Sequence, residues 1–303
     1  MVRKRGISPK LDLVFKKIFG DKKNSDILSD FLSAVLGVTD IESIEILDNE
    51  MISDVFVEKF SRLDLRINLN GNTSINVEIQ VKNYENYKDR TLFYWSKLYT
   101  QGFKEGQDYA ELKETIAINI LDFNLFDCEE YHSVFGVFEE TRREKLSDKF
   151  RIDFLELKKA KKFKEMNGTM ATRKQMWMDF LNATSDDDET LSRLSDSTTN
   201  PVNSQAVGKA VAVLKKMSAD EKTLYEIEAR EKMLHDEASA RSYERNQGRI
   251  EGLEQGRKEG RKEGREEGRK EGREEGAECE RKAIIERLKK NGFTDEQIAE
   301  ILK

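Results

Sequence analysis

Apolar residues near the start of the chain recur at helical spacing. Leu11, Val14, Phe15, Ile18 and Phe19 follow Ser8-Pro9, a pair suited to capping a helix and filling its first turn, and Gly20 stops the run. A second helix is predicted over about 24–36, with Ile27, Leu28, Phe31, Leu32, Val35 and Leu36 on its apolar side and Gly37 at its end. The period then drops to two. Strands are predicted near 41–47, 52–57, 62–69 and 74–81. A helix follows over 86–104, with Leu92, Phe93, Trp95, Leu98 and Tyr99 as its core side, and then strands at 115–123, 133–138 and 152–157. Helices, a block of strands, a helix and more strands predict an α/β or α+β domain over about 1–160.

From about residue 170 the signals are helical. Met176, Trp177, Phe180 and Leu181 mark one helix, the polar stretch 184–201 reads as a linker ending at Pro201, and charged helices are predicted over 202–216 and 219–246. Glycine then occupies every fourth position from Gly248 to Gly276, eight in all, among nine basic and nine acidic residues. This repeat is either a flexible, self-neutralised spacer or a charged helix. Eight glycines inside a helix cost about 1 kcal/mol each relative to alanine, and Arg/Lys–Glu pairs return only a few tenths each. Packing against an identical partner would offset that cost, which makes a homo-oligomer formed through the repeat an expectation. Residues 277–303 read as two short helices around Asn291-Gly292. The expected divisions are 1–183, 184–201, 202–247, 248–276 and 277–303.

The segment 62–81 holds the most chemistry. Leu63, Leu65, Ile67 and Leu69 alternate with Arg62, Asp64, Arg66 and Asn68; Ile75, Val77, Ile79 and Val81 alternate with Asn76, Glu78, Gln80 and Lys82. Two half-buried strands joined at Asn70-Gly71-Asn72 follow from that pattern. A two-residue turn would set Asp64 beside Val77 and split the apolar residues between both faces. A three-residue turn pairs even positions with even positions, so Asp64, Glu78 and Gln80 share one face. Taken alone, such alternation more often marks a solvated face. Two carboxylates brought together without a histidine nearby also repel unless a cation lies between them, and Mg²⁺ takes oxygen ligands of this kind.

Composition narrows the chemistry further. Charged and hydrophobic residues each make up 37% of 303 residues, so a packed core cannot occupy the whole length. The net charge of −6 argues against bulk electrostatic coating of nucleic acid, although residues 1–23 carry eight Lys/Arg against two acids. Two distant cysteines and two histidines, His132 and His235, disfavour a disulfide framework, a zinc site and a Ser-His-Asp triad. Both histidines read as incidental. No stretch approaches eighteen apolar residues, which points to a cytoplasmic protein with no membrane partner.

Several motifs together resemble the PD-(D/E)XK nuclease superfamily, and within it the recombination-promoting nuclease or putative-transposase family. They are Lys59-x-x-Arg62-Leu63-Asp64 with Val77-Glu78-Ile79-Gln80; Ser8-Pro9-Lys10-Leu11-Asp12 with Phe15-Lys16 and Phe19; Arg90 with Tyr94-Trp95-Ser96-Lys97-Leu98-Tyr99, Gly106 and Tyr109; and Ile118 to Phe123. The resemblance covers about 8–183. It implies a restriction-endonuclease-like αβββαβ core around a mixed sheet, followed here by a helical extension. It implies a DNA endonuclease using Mg²⁺, or Mn²⁺ in its place, with a role in recombination, mobile elements or defence. Asp64, Glu78 and the backbone carbonyl of Ile79 would hold the metal. Gln80 stands where the superfamily has a lysine and cannot supply that positive charge. Asp12 would be a further acid, or simply a polar residue suited to a first helical turn. Lys59, Arg62 and Arg90 are candidate phosphate contacts. The competing class is a nuclease-like domain without activity that binds nucleic acid or protein.

Overall fold

The computed structural model describes residues 6–47, 65–167, 172–196 and 205–301. They divide into two units, Met1–Glu228 and Ala229–Lys303.

The first unit begins with α1 (Asp12–Phe19) and α2 (Ser25–Leu36). Helix α1 starts three residues later than Ser8-Pro9 suggests. Those two residues instead form a turn, in which the Leu11 N–H donates to the Ser8 carbonyl at 3.1 Å. Gly37, at φ 74°, ends α2 in the left-handed conformation that glycine adopts without a Cβ clash. Val14, Phe15, Ile18 and Phe19 of α1 are fully buried, as are Ile27, Leu28, Phe31 and Leu32 of α2.

Six described strands make one sheet in the order β1-β2-β3-β4-β6-β5. They are β1 (Ile44–Leu47), β2 (Leu65–Leu69), β3 (Thr73–Gln80), β4 (Glu114–Leu121), β5 (His132–Phe135) and β6 (Phe150–Glu156). Strands β3, β4 and β6 run parallel, while β1, β2 and β5 pair antiparallel with their neighbours. Leu65 pairs with Val77, Ile67 with Ile75 and Leu69 with Thr73, so the hairpin turn has the three residues that the alternation demands. Asn70 and Gly71 both take positive φ there, 50° and 74°. The expected strand at 52–57 lies outside the described residues, as do positions 62–64.

The two sheet faces are covered differently. Leu65, Ile67, Ile75, Val77, Ile79, Ile116, Ile118, Ile120 and Leu155 face α1, α2, α5 (Arg173–Asn182) and α7 (Gln205–Ala219) in the main core. Helix α3 (Tyr87–Thr100) covers the opposite face and corrects the expected core side. Leu92 and Phe93 are 50% and 56% exposed, whereas Tyr87 and Thr91 are buried. The inward side of α3 is mixed: Tyr87 packs with Ala117, Leu121, Phe123, Ile152 and Phe154 in a second apolar cluster that Trp95 also meets, while over β3 the helix faces Asn76, Glu78 and Gln80. Tyr87 Oη donates to Asn119 Oδ1 at 3.2 Å, and Trp95 Nε1 to the Thr115 carbonyl at 2.8 Å.

Two helices depart from expectation. Helix α4 (Leu157–Asn167) follows β6 with no turn signal between them. Within the stretch expected as linker, α6 (Asp188–Ser195) buries Leu191 and Leu194. Val207, Ala210, Val211 and Leu214 of α7 join the same core. Packing carries the first unit to residue 228.

Helix α8 (Glu221–Lys290) begins in the first unit, where Thr223 and Ile227 are buried. In the second unit it runs through the glycine repeat, whose residues are all exposed. Nothing lies within 4 Å of a Cβ added at any of the eight repeat glycines. Gly292, at φ 85°, turns the chain into α9 (Asp295–Ile301), and Ile298 is 4% exposed. No helix among the described residues is long and apolar enough to cross a membrane.

Candidate active site

Strand β3 lies third of six and presents Asn76, Glu78 and Gln80 toward α3. On β4, Asn119 pairs in register with Glu78. Glu78 is only 7% exposed, so the polar face is not simply solvated. Arg90 from α3 meets it, with Nη2 2.8 Å from Oε1. The guanidinium carbon of Arg90 also lies 5.9, 5.8 and 5.5 Å from the ring centres of Tyr84, Tyr87 and Tyr94. A cation over several aromatic faces is favoured electrostatically and held in place. The geometry thus joins Arg90 to Glu78 across two elements.

Gln80 ends β3. Its amide nitrogen donates to the Lys82 carbonyl at 3.0 Å, and its own backbone carbonyl accepts from the Asp122 N–H at 2.9 Å. Ile79 turns its side chain into the main core. The start of α1 reaches the same end of the sheet, because Lys10 Nζ lies 3.0 Å from Asp122 Oδ1. Asp12 opens α1 and accepts from the Leu13 N–H at 2.7 Å, the behaviour of an acid in a first helical turn. Asp64, Lys59 and Arg62 lie outside the described residues. Among the described residues no group of three or more His, Cys, Asp or Glu is arranged to hold a metal.

A second polar cluster, on the main-core side of the sheet, escaped the sequence reading. Asp153 of β6 is fully buried. It accepts from His132 Nε2 at 2.7 Å, Arg151 Nε at 2.7 Å and Arg151 Nη2 at 3.0 Å. Lys174 Nζ lies 2.9 Å from His132 Nδ1. An ammonium can only donate, so Nδ1 accepts and Nε2–H donates to Asp153. His132 is therefore not incidental, and the visible sign was an aspartate interrupting the apolar run of β6. Burial pushes the Asp153 carboxyl up, but the hydrogen bonds from His132 and Arg151 outweigh it and hold the group below the ordinary aspartate range. A depressed carboxyl stabilises the fold above its unfolded pKa, and that stability is lost as pH falls through the folded value. Asp153→Asn is expected to cost about 3 kcal/mol near neutral pH. It should also flatten the acid limb of stability below the ordinary aspartate range, read by urea melts across acid pH.

A mixed six-stranded sheet with helices on both faces, extended by further helices, defines an α/β core of the restriction-endonuclease-like class. The chain belongs to the PD-(D/E)XK nuclease family transposases, whose family pattern it matches over residues 9–244. That membership makes nuclease chemistry its class of activity. No match emerges among curated proteins or among solved structures.

Proposed function

We propose that this protein is a divalent-metal-dependent DNA endonuclease of the cytoplasm, acting in recombination, mobile-element movement or defence, with its site at the end of the 65–80 hairpin. The observation that carries the reading is Glu78: a carboxylate nearly sealed on a polar sheet face, in a chain of nuclease family. The register supports it, since Leu65, the next residue in sequence after Asp64, pairs with Val77, the residue before Glu78. Carboxylates and a carbonyl oxygen suit a hard cation such as Mg²⁺ or Mn²⁺. Asp64, Glu78 and the Ile79 carbonyl would hold it, with Asp12 as a further acid. A cation bound there would polarise the phosphodiester and lower the pKa of the attacking water. Gln80 orients water or phosphate through its amide. Arg90, Lys59 and Arg62 bind phosphate, and Arg90 exchanges the Glu78 carboxylate for the backbone of the substrate.

Gln80 also favours a second reading, a nuclease-like module that binds without cutting. Incubating purified protein with supercoiled plasmid and Mg²⁺ or Mn²⁺ separates the two. Nicking that disappears in Asp64→Ala and in Glu78→Ala supports the enzyme; cleavage that survives both removes the site assignment.

The glycine repeat is proposed to bring two copies together. Arg257, Arg261, Arg265, Arg269 and Arg273 each follow a repeat glycine, and Glu259, Glu263, Glu267, Glu271 and Glu275 each precede one. The glycine row is therefore flanked by arginine on one side and glutamate on the other, about 100° away in each direction. In a parallel pair related by a twofold along the axis, each arginine row faces the partner's glutamates. An antiparallel pair sets like charges together. Gly264→Ala with Gly268→Ala raises intrinsic helicity, at about 1 kcal/mol per site, yet is expected to abolish association. Circular dichroism with sedimentation velocity reads both, and a stronger helix that still associates would rule out the glycine contact.

A further inference from the structure

We propose that Lys10 supplies the positive charge at the scissile phosphate that Gln80, an uncharged amide, does not. The inference rests on the nuclease reading above. Three observations place Lys10 there. Its ammonium does not extend into solvent but crosses to the sheet, 3.0 Å from Asp122 Oδ1, with each side chain 20% exposed. Asp122 directly follows β4, and its N–H donates to the carbonyl of Gln80 itself at 2.9 Å. Lys10 also stands two residues before Asp12, the acid expected from α1. The end of β3, where Gln80 is uncharged, thus has this cation beside it, delivered from a different element.

Arg90 is placed for another task. It lies against Glu78, among three tyrosine rings, on the α3 side of the strand. Lys10 is paired with an acid outside the proposed metal set, so exchanging Asp122 for a phosphate oxygen leaves that set intact. Lysine forms no covalent bond in the step. The water oxygen makes the new P–O bond, the bond to the leaving oxygen breaks, and a proton passes from the water to a base while another reaches the leaving oxygen. Lys10 keeps its own protons and donates a charge-assisted hydrogen bond to a non-bridging oxygen, where negative charge grows.

The Lys10–Asp122 pair also joins the start of α1 to β4, and a purely structural role would make the two residues equivalent. Lys10→Met, Asp122→Asn and the double variant Lys10→Met/Gln80→Lys separate the roles. Each is compared with wild type for single-turnover cleavage of a short duplex in Mg²⁺, for duplex affinity in Ca²⁺ and for melting temperature. Lys10→Met is expected to lose roughly ten- to a hundredfold in cleavage rate at unchanged melting temperature and with little change in affinity. Asp122→Asn should stay within about twofold of wild type, and lysine at position 80 should recover at least a tenfold part of the loss. Equal losses in Lys10→Met and Asp122→Asn, a wild-type rate in Lys10→Met, or no recovery in the double variant would overturn the assignment while leaving the nuclease reading in place. A wild-type protein that cuts nothing would remove that reading and this inference with it.

Discussion

Glu78→Gln is expected to leave the protein folded and to lower metal-dependent cleavage about a thousandfold, equivalent to roughly 4 kcal/mol of lost transition-state stabilisation. The amide keeps an oxygen that Arg90 can reach, so the contact now 2.8 Å long survives as a neutral-acceptor hydrogen bond. It loses the charge that a divalent cation needs. Glu78→Ala is the blunter variant, because it leaves the Arg90 guanidinium facing a largely sealed strand without its acceptor. Near-wild-type cleavage by Glu78→Gln, with a melting temperature equal to wild type, would show that Glu78 serves only as the counter-ion of Arg90. Titrating Mn²⁺ by calorimetry adds a second readout, since the variant should lose the metal-binding heat even when no DNA is present.

The largest effect on stability is expected at Trp177, in the main core. Its ring is completely buried, 5.5 Å from Phe19, 5.7 Å from Phe31 and 5.8 Å from Phe180 between ring centres, and its Nε1 donates to Asp30 Oδ2 at 2.9 Å. Alanine there empties an aromatic cavity enclosed by α1, α2 and α5 and withdraws one donor from Asp30, which Arg173 also meets. Such truncations cost about 3–5 kcal/mol, against a net stability of about 5–15 kcal/mol for a typical fold. Urea melts should show the midpoint falling by about a fifth or more, with the slope unchanged. A smaller loss would mean that the cluster closes over the void. Because α1 begins at Asp12, two residues after Lys10, Trp177→Ala should also weaken cleavage before it unfolds the chain.

Legibility in the sequence followed the strength of each local pattern. The hairpin register could be derived from alternation alone, because one slipped residue would have turned Ile75, Val77 and Ile79 out of the core. Helices α1 and α2 announce themselves through apolar spacing and their closing glycines. Helix α3 misled because its exposed side carries Leu92 and Phe93, while its inner side, with Tyr87, Thr91 and Trp95, answers a strand face of mixed polar and apolar residues that only tertiary structure creates. Helix α4 has few apolar residues, and its buried Lys159 is held by Glu156 at 2.7 Å, a pairing that composition cannot announce. At the candidate site, the motif singled out Glu78, Gln80 and Arg90, but not that α3 brings Arg90 onto Glu78. The Asp153–His132–Lys174 chain was missed because its members are scattered over 42 positions.

Helices α1 and α7 share one core although nearly two hundred residues separate them. On a ribosome, that separation becomes time. At about 5–20 residues per second, Phe15, Ile18 and Phe19 wait roughly 10–40 seconds before Trp177 and Leu214 have been synthesised to cover them. The hairpin bearing Glu78 is made early in that interval, but its apolar face cannot be fully sealed until the interval ends. The maturation of that strand pair is therefore timed by the arrival of the helices behind it, and a nascent chain released before α7 carries the motif without the packing that supports it.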